Sequence, residues 1–193
     1  MIGMEALTEH FYQNGYAVYD NFISEAEADT LLNEIKVKQD NLQKAGIGNG
    51  QNHLIDKEIR GDYIRWINPA EDLIFKNLYL DKLEPIILSF NRSFFLGIKQ
   101  SEHHLAFYPP GTRYEKHRDS FQNNKARVVS SVLYLNKSWH TGDGGELIIY
   151  PEKKESIKTE PVAGRLVLFE SHLEHEVLLS HKPRYSITGW MRQ

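Results

Sequence analysis

Apolar residues in the first part of the chain recur at intervals of three and four, which is the spacing of an amphipathic α-helix. The pattern is clearest behind Ser24, with apolar positions at Ala28, Leu31, Leu32, Ile35 and Leu42. Ser24 can cap the first turn, and Glu27 stands three residues later, as a capping box requires. This pattern predicts a helix that begins after Ser24 and ends near Gln43.

A second helical pattern runs from Leu73 to Phe90, behind Asn68-Pro69. Pro85 lies inside it and predicts a kink or a new first turn, because proline has no backbone N–H to donate. The stretch from Gly46 to Asn52 is rich in glycine and polar residues and shows neither periodicity. We therefore predict a mobile loop between the two helices.

From Gly97 onward, the helical spacing gives way to short runs of β-branched and aromatic residues, separated by glycine and proline turns. Strands without intervening helices favour a sandwich, a barrel or a jelly roll. The predicted strands are Lys99–Tyr108, Arg113–His117, Arg127–Leu135, Glu146–Tyr150, Arg165–Phe169, His175–Leu179 and Arg184–Met191.

The composition narrows the class of protein. The chain has 193 residues, of which 40% are hydrophobic and 25% are charged, as is ordinary for a globular domain. A net charge of −3 argues against nucleic acid and membrane partners, since both attract basic surfaces. The chain has no cysteine, which excludes disulfides and thiolate metal ligands. We find no apolar leader and no long apolar run, and we expect a cytoplasmic protein.

His117 and Asp119 are the first candidates for a metal site, because alternate residues of a strand project from the same side. A third ligand must then come from another strand. Leu179 stands where a zinc-protease motif beginning at His175 would need its second histidine, so that motif is excluded. The candidates for the third ligand are His140, His172, His175 and His181.

The last predicted strand presents polar and aromatic side chains on one face. Such groups are costly to bury without partners, so we expect this face to line a polar pocket. An arginine there suits a bidentate clamp for a carboxylate. Tyr134, on the inner face of another strand, is placed to reach the same ligand. The four side chains that share the face are Arg184, Ser186, Thr188 and Trp190.

Two imidazoles and one carboxylate, without sulfur, are the ligand set of non-haem Fe(II) oxygenases. Further motifs occur in order along most of the chain: Ile59-Arg60-Gly61-Asp62, Trp66-Ile67, Phe107-Tyr108-Pro109, Tyr114-Glu115-Lys116-His117-Arg118-Asp119, Tyr134-Leu135-Asn136, Gly144-Gly145-Glu146-Leu147, His175-Glu176-Val177 and Arg184-Tyr185-Ser186-Ile187-Thr188. With this ordered set, the sequence resembles the Fe(II)/2-oxoglutarate-dependent oxygenases. It most closely resembles the prolyl hydroxylases, which include the animal oxygen sensors and their bacterial relatives.

The resemblance implies a mainly β, α+β fold with a double-stranded β-helix, or jelly-roll, core. A single oxygenase domain would span residues 1–193. Within it, residues 1–96 would supply supporting helices, an edge strand and a mobile loop, and residues 97–193 would form the core.

The resemblance also implies the roles of individual residues. Fe(II) would be held by His117, Asp119 and His175, which are then also the catalytic residues. The distal carboxylate of 2-oxoglutarate would be clamped by Arg184 and hydrogen-bonded by Tyr134. Thr188 and Trp190 would line the pocket, and Tyr108 would lie near the metal-bound end. The expected reaction hydroxylates a proline-containing protein or peptide and releases succinate and CO2, with ascorbate as a further candidate cofactor.

Other functions remain open on the sequence. A related oxygenase could act on another amino acid or a small molecule, since fold and cofactor do not define the substrate. The same His/Asp/His set could serve a zinc hydrolase or a non-catalytic metal-binding β-barrel.

Two further hypotheses concern the rim of the site. A salt bridge between Asp62 and Arg127 could hold the loop that follows Asp119; the alternative is an ordinary surface role for both. We expect no C-terminal helix over the site, because the chain ends at Gln193. The loop from Gly46 to Asn52 would then close over the bound peptide.

Overall fold

The structure, a computed structural model, describes residues 3–46, 59–120, 126–152 and 154–193. Among these residues, the α-helices are α1 (Met4–Asn14), α2 (Glu25–Val37), α3 (Leu73–Phe75) and α4 (Asp81–Phe94). A 3₁₀ turn at Gln39–Asn41 follows α2, and a π-helical turn at Lys76–Leu80 joins α3 to α4.

The capping box that begins α2 is confirmed. The Ser24 side chain accepts a hydrogen bond from the backbone N–H of Glu27, and the Glu27 carboxylate accepts one from the backbone N–H of Ser24. The predicted end near Gln43 is wrong, because α2 ends at Val37. The next residue, Lys38, pairs with Asp72 from a distant turn, a tertiary contact that the local pattern does not contain.

Asp72 is a buried carboxylate that ties α2 to the strand before α3. It accepts two hydrogen bonds from the guanidinium of Arg65, at 3.0 and 2.9 Å, and one from Lys38 Nζ at 3.0 Å. The backbone N–H of Asn68 donates a further bond at 2.9 Å. Burial opposes ionisation of Asp72, but these donors, with Arg65 the strongest, hold its pKa at about 2.

The second helical pattern is also confirmed, with an irregular start. The π-helical turn lies immediately before α4, and Pro85 lies inside α4. Proline leaves one carbonyl of the preceding turn without its helical donor, and the rare π-helix occurs mostly as single turns within α-helices. Residues 73–94 are thus helical almost throughout, but not as one regular α-helix.

All seven predicted strands are present, and no end differs from its predicted position by more than one residue. The described residues contain four further strands, one of which lies next to the Ile59–Asp62 motif, in the part of the chain where an edge strand was expected. The other three were not predicted, because runs of two to four residues are too short to show a period. The strands are β1 (Tyr16–Tyr19), β2 (Gln43–Lys44), β3 (Tyr63–Trp66), β4 (Gln100–Tyr108), β5 (Thr112–His117), β6 (Arg127–Tyr134), β7 (Leu147–Tyr150), β8 (Ile157–Thr159), β9 (Leu166–Glu170), β10 (Glu174–Ser180) and β11 (Arg184–Arg192). β3 begins just after the Ile59–Asp62 motif.

The strands form two sheets. The larger sheet has the order β1-β9-β6-β11-β4-β3-β2, and the smaller has the order β5-β10-β7-β8. The fold is mainly β, with the double-stranded β-helix that the resemblance implied. The N-terminal part adds three strands to the larger sheet, rather than the single edge strand that was expected.

The larger sheet separates two cores. Leu105, Leu133 and Ile187 face the helices. Their sequence neighbours Ala106, Tyr134 and Thr188 point the other way, toward the smaller sheet, because strand side chains alternate. The second face combines apolar residues with the polar groups singled out above, so a polar pocket lies between the sheets.

The proposed lid, Gly46–Asn52, lies outside the described residues except for Gly46. None of the helices in the described ranges has the length and apolar character that a membrane crossing requires.

Candidate metal centre

Three potential metal ligands meet at one end of the space between the sheets. His117 ends β5, Asp119 follows it, and His175 lies on β10 directly opposite His117. Nε2 of His175 is 3.4 Å from one Asp119 oxygen, and Nε2 of His117 is 3.8 Å from the other. All three ligand atoms lie within 4.8 Å of one another, so a single cation can contact them together.

The strand pairing selects His175 from the four candidate histidines. His172, its nearest competitor in the sequence, is exposed and lies 3.7 Å from a carboxylate oxygen of Glu170 and 3.9 Å from one of Glu152. His140 and His181 are exposed as well.

Both imidazoles are held in the tautomer that a metal requires. Nδ1 of His117 is 2.7 Å from the carbonyl oxygen of Glu115, and Nδ1 of His175 is 3.0 Å from that of Leu173. A carbonyl only accepts, so each Nδ1 carries the proton. The lone pair of each Nε2 is then free for the metal. Burial, followed by the nearby His175, holds the pKa of His117 well below its ordinary value, which keeps the ring neutral.

Asp119 is oriented by a hydroxyl group from the larger sheet. The Ser130 hydroxyl donates to Asp119 Oδ2 at 2.7 Å, and Ser171 lies 3.0 Å from the same hydroxyl. Burial opposes ionisation of Asp119, but the two imidazoles and Ser130 hold its pKa below the ordinary value. The carboxylate is therefore charged and partly satisfied before any cation binds.

At the other end of the pocket lies a buried cation, Arg184, with 1% of its surface exposed. Nε donates to the carbonyl of Gly145 at 2.9 Å, and one terminal nitrogen lies 3.4 Å from Ser186 Oγ. No carboxylate among the described residues pairs with it. A buried charge without a counter-ion is unfavourable, so this guanidinium is suited to a carboxylate brought by a ligand.

The aromatic residues predicted for the pocket lie around these groups. The Tyr134 hydroxyl is buried without a hydrogen-bond partner, and Tyr134 lies opposite Ser186 on β11. Tyr108 lies opposite Arg184, whose guanidinium is 4.9 Å from its ring centroid. Thr188 and Trp190 line the same cavity, with Trp190 opposite Ser130.

Comparisons with known proteins agree with this geometry. The model of the 2OG-Fe(II) oxygenase superfamily matches residues 103–192. Prolyl hydroxylase EGLN3 of Homo sapiens is 31% identical over 205 residues, which cover 98% of this chain and 83% of that protein. The chain belongs to the prolyl hydroxylase family.

Two solved structures of prolyl hydroxylases extend the similarity to the whole fold. The prolyl-4-hydroxylase of Pseudomonas putida is 34% identical, with a TM-score of 0.89 and coverage of 98% of this chain and 99% of that chain. The prolyl hydroxylase of Trichoplax adhaerens, solved with a hypoxia inducible factor oxygen degradation domain peptide fragment, is 25% identical. Its TM-score is also 0.89, and the similarity covers 98% of this chain and 88% of that chain.

The pocket fits both groups that the superfamily description names. Two imidazole nitrogens and a carboxylate without sulfur are a suitable Fe(II) ligand set. The unpaired guanidinium of Arg184 and the unpartnered hydroxyl of Tyr134 suit one carboxylate of 2-oxoglutarate.

The expected salt bridge at the rim of the oxygenase pocket is not formed. Asp62 pairs instead with Arg60, at 2.7 Å, and Arg127 pairs with Glu102 at 2.7 Å. Arg127 also lies over Trp190, 3.7 Å from the ring centroid. Both Arg60 and Asp62 belong to the Ile59–Asp62 motif, but the motif alone did not show that these two side chains pair with each other.

Sequence reasoning assigned no role to three groups in or beside the pocket. Ser130 holds Asp119, Arg60 lies over the ring of Tyr114, and His104 lines the cavity. Strand alternation places Ser130 on the face of Tyr134 and could have placed His104 on the face of Tyr108, but it does not show what either side chain contacts. Nothing local marks Arg60 beyond the Ile59–Asp62 motif.

Proposed function

We propose that this protein is an Fe(II)- and 2-oxoglutarate-dependent dioxygenase that hydroxylates a prolyl residue in a protein or peptide. The observation that carries the proposal is the pairing of a His/Asp/His cluster with a buried, unpaired arginine in one cavity. The names of the similar proteins support proline as the target. The peptide complex of the Trichoplax adhaerens enzyme supports a peptide as the substrate.

In this proposal, His117, Asp119 and His175 hold the Fe(II). The carbonyls of Glu115 and Leu173 hold the imidazoles in the correct tautomer, and Ser130 keeps Asp119 ionised and oriented. Fe(II) bound here would supply the activation of dioxygen that couples oxidative decarboxylation of 2-oxoglutarate to hydroxylation of a C–H bond.

Arg184 and Tyr134 bind the distal carboxylate of 2-oxoglutarate. They lie on neighbouring strands, so the register between β6 and β11 sets the position of the clamp. Thr188 and Trp190 line the path from this clamp toward the metal ligands. The role of Tyr108 near the metal-bound end stays a prediction, because its backbone lies beside Arg184.

The overall reaction consumes 2-oxoglutarate, dioxygen and a prolyl C–H bond, and yields succinate, CO2 and a prolyl C–OH bond. One oxygen atom enters succinate and the other enters the product. The protein contributes orientation and a largely closed pocket, since the residues around the metal ligands are mostly buried.

Several finer predictions belong to the same proposal. Ascorbate would serve as a reductant that keeps the metal as Fe(II). We infer a single oxygenase domain over residues 1–193. A cytoplasmic location is consistent with a chain without cysteine, and the absence of nucleic acid and membrane partners with a net charge of −3.

The test is an incubation of the protein with Fe(II), ascorbate, 2-oxoglutarate and a library of proline-containing peptides. Succinate release together with a gain of one oxygen in a peptide, located at proline by fragmentation, would support the proposal. A library in which each proline is replaced by alanine is the control. Succinate release with oxygen gained only at other residues would contradict the prolyl assignment and favour the related oxygenase.

A further inference from the structure

His104 is a buried histidine in the pocket for which the proposed mechanism has no use. It lies on β4, paired with Thr188 on one side and with Trp66 on the other. Its side chain lines the cavity that also contains the metal ligands and Arg184.

The ring of His104 is packed but makes no hydrogen bond to any described residue. Its centroid is 5.2 Å from that of Trp190 and 5.3 Å from that of Trp66, and 1% of the residue is exposed. Nδ1 is buried without a partner. The adjacent His103 differs, because it faces the helices and its Nδ1 lies 3.4 Å from the hydroxyl of Tyr79.

Packing alone does not account for a histidine at this position. A methionine or leucine would fill the space between two tryptophans without burying a polar ring that lacks partners. Burial, followed by the positive charge of Arg60, holds the pKa of His104 well below its ordinary value. The neutral ring therefore offers one N–H donor and one acceptor nitrogen.

The sheet register shows which part of a bound ligand would lie nearest to His104. On the inner face of β11, Arg184 comes first and Trp190 last, and Trp190 is opposite the serine that holds Asp119. Thr188, which is paired with His104, lies between Arg184 and Trp190 on this face. It is the inward-facing residue next to Trp190, and therefore close to the end of the pocket that contains the metal ligands. A dicarboxylate clamped by Arg184 would therefore direct its other end toward His104.

We propose that His104 hydrogen-bonds the 2-oxo acid end of 2-oxoglutarate and so helps to select and position the cosubstrate. The inference rests on the proposed function. Arg184 and Tyr134 recognise one carboxylate, which any dicarboxylate of suitable length supplies. His104 adds a contact at the other end, where 2-oxoglutarate differs from a simple dicarboxylate.

The test compares His104→Met, which keeps the volume without a strong hydrogen-bonding group, with His104→Gln, which keeps a donor and an acceptor. His104→Leu is a second apolar variant in case the methionine protein does not fold. His10→Met, at an exposed position on α1, is the matched control. Each Fe(II)-loaded protein is titrated with 2-oxoglutarate without oxygen. Tryptophan fluorescence gives the affinity, and the visible absorption that Fe(II) and 2-oxoglutarate produce together reports the environment of the chelating end.

We expect His104→Met to bind 2-oxoglutarate about tenfold more weakly, with a shifted absorption maximum and unchanged Fe(II) affinity. His104→Gln should restore affinity to within about threefold of wild type. Wild-type affinity and absorption in the methionine and leucine variants would overturn the inference, as would a glutamine variant as weak as methionine. If the wild-type protein itself bound no 2-oxoglutarate, the proposed function would fail together with the inference.

Discussion

Replacement of Arg184 by lysine keeps a positive charge in the pocket and removes a two-pronged donor. Nε of Arg184 is already engaged by the carbonyl of Gly145, and Nη1 makes one long contact, 3.4 Å, with Ser186 Oγ. Nη2 and the second hydrogen of Nη1 therefore remain for a carboxylate. The rings of Tyr108 and Tyr134 lie 4.9 and 5.0 Å from the guanidinium carbon, which restricts how a different side chain can be placed. A lysine ammonium in the same space can make only a point contact with the ligand.

The size of the effect follows from the hydrogen bond to the ligand that lysine cannot make. A hydrogen bond to a charged group contributes about 1.5–3 kcal/mol. Arginine can donate two such bonds to the ligand carboxylate, and lysine keeps one of them. Each 1.4 kcal/mol changes affinity tenfold, so we expect Arg184→Lys to weaken 2-oxoglutarate binding roughly 10- to 100-fold. Metal affinity should be nearly unchanged, because Arg184 lies at the opposite end of the pocket from His117, Asp119 and His175.

Calorimetric titration of Mn(II)-loaded protein with 2-oxoglutarate measures this change without turnover, and a separate titration measures metal binding. Arg113→Lys is a matched control, since Arg113 is half-exposed on β5 and pairs with Glu115 on the surface. A change in 2-oxoglutarate affinity of less than about threefold for Arg184→Lys would refute the clamp. An equal loss in both lysine variants would show that the effect is not specific to the pocket.

Three further predictions concern single residues. Asp119→Ala should abolish succinate formation, while circular dichroism shows that the variant still folds without metal. Succinate formation at the wild-type rate would show that Asp119 is not a metal ligand. Ser130→Ala should weaken Fe(II) binding roughly 10- to 100-fold, measured by competition with a chelator, because outer hydrogen bonds orient metal ligands; unchanged affinity would show that Asp119 needs no such support. Asp72→Asn should cost about 2–3 kcal/mol in urea unfolding at neutral pH, because Arg65 and Lys38 lose their buried counter-charge. The pKa of Asp72 is held at about 2 in the folded protein. The stability that its charge contributes is therefore present above the unfolded pKa near 4 and is lost as pH falls toward 2. A difference between wild type and Asp72→Asn that stays constant between pH 6 and about 2.5 would contradict this account.

Local sequence was sufficient for the longer strands, for the start of α2 and for part of the site. The capping box at Ser24 and Glu27 places the start of α2, because both groups lie within one turn. Strand alternation predicts the inner face that Arg184 shares with Trp190. These features depend on residues a few positions apart, and their geometry follows from the backbone period alone.

The remaining features were decided by contacts between segments that are distant in the sequence. The pairing of β5 with β10 brings His175, and not His172, to the metal site. α2 ends before Gln43, where Lys38 pairs with Asp72 from a distant turn. Asp62, by contrast, pairs with Arg60, which lies only two residues away in the same motif. A period within one strand shows which face a residue occupies, but only the register between strands shows what it faces.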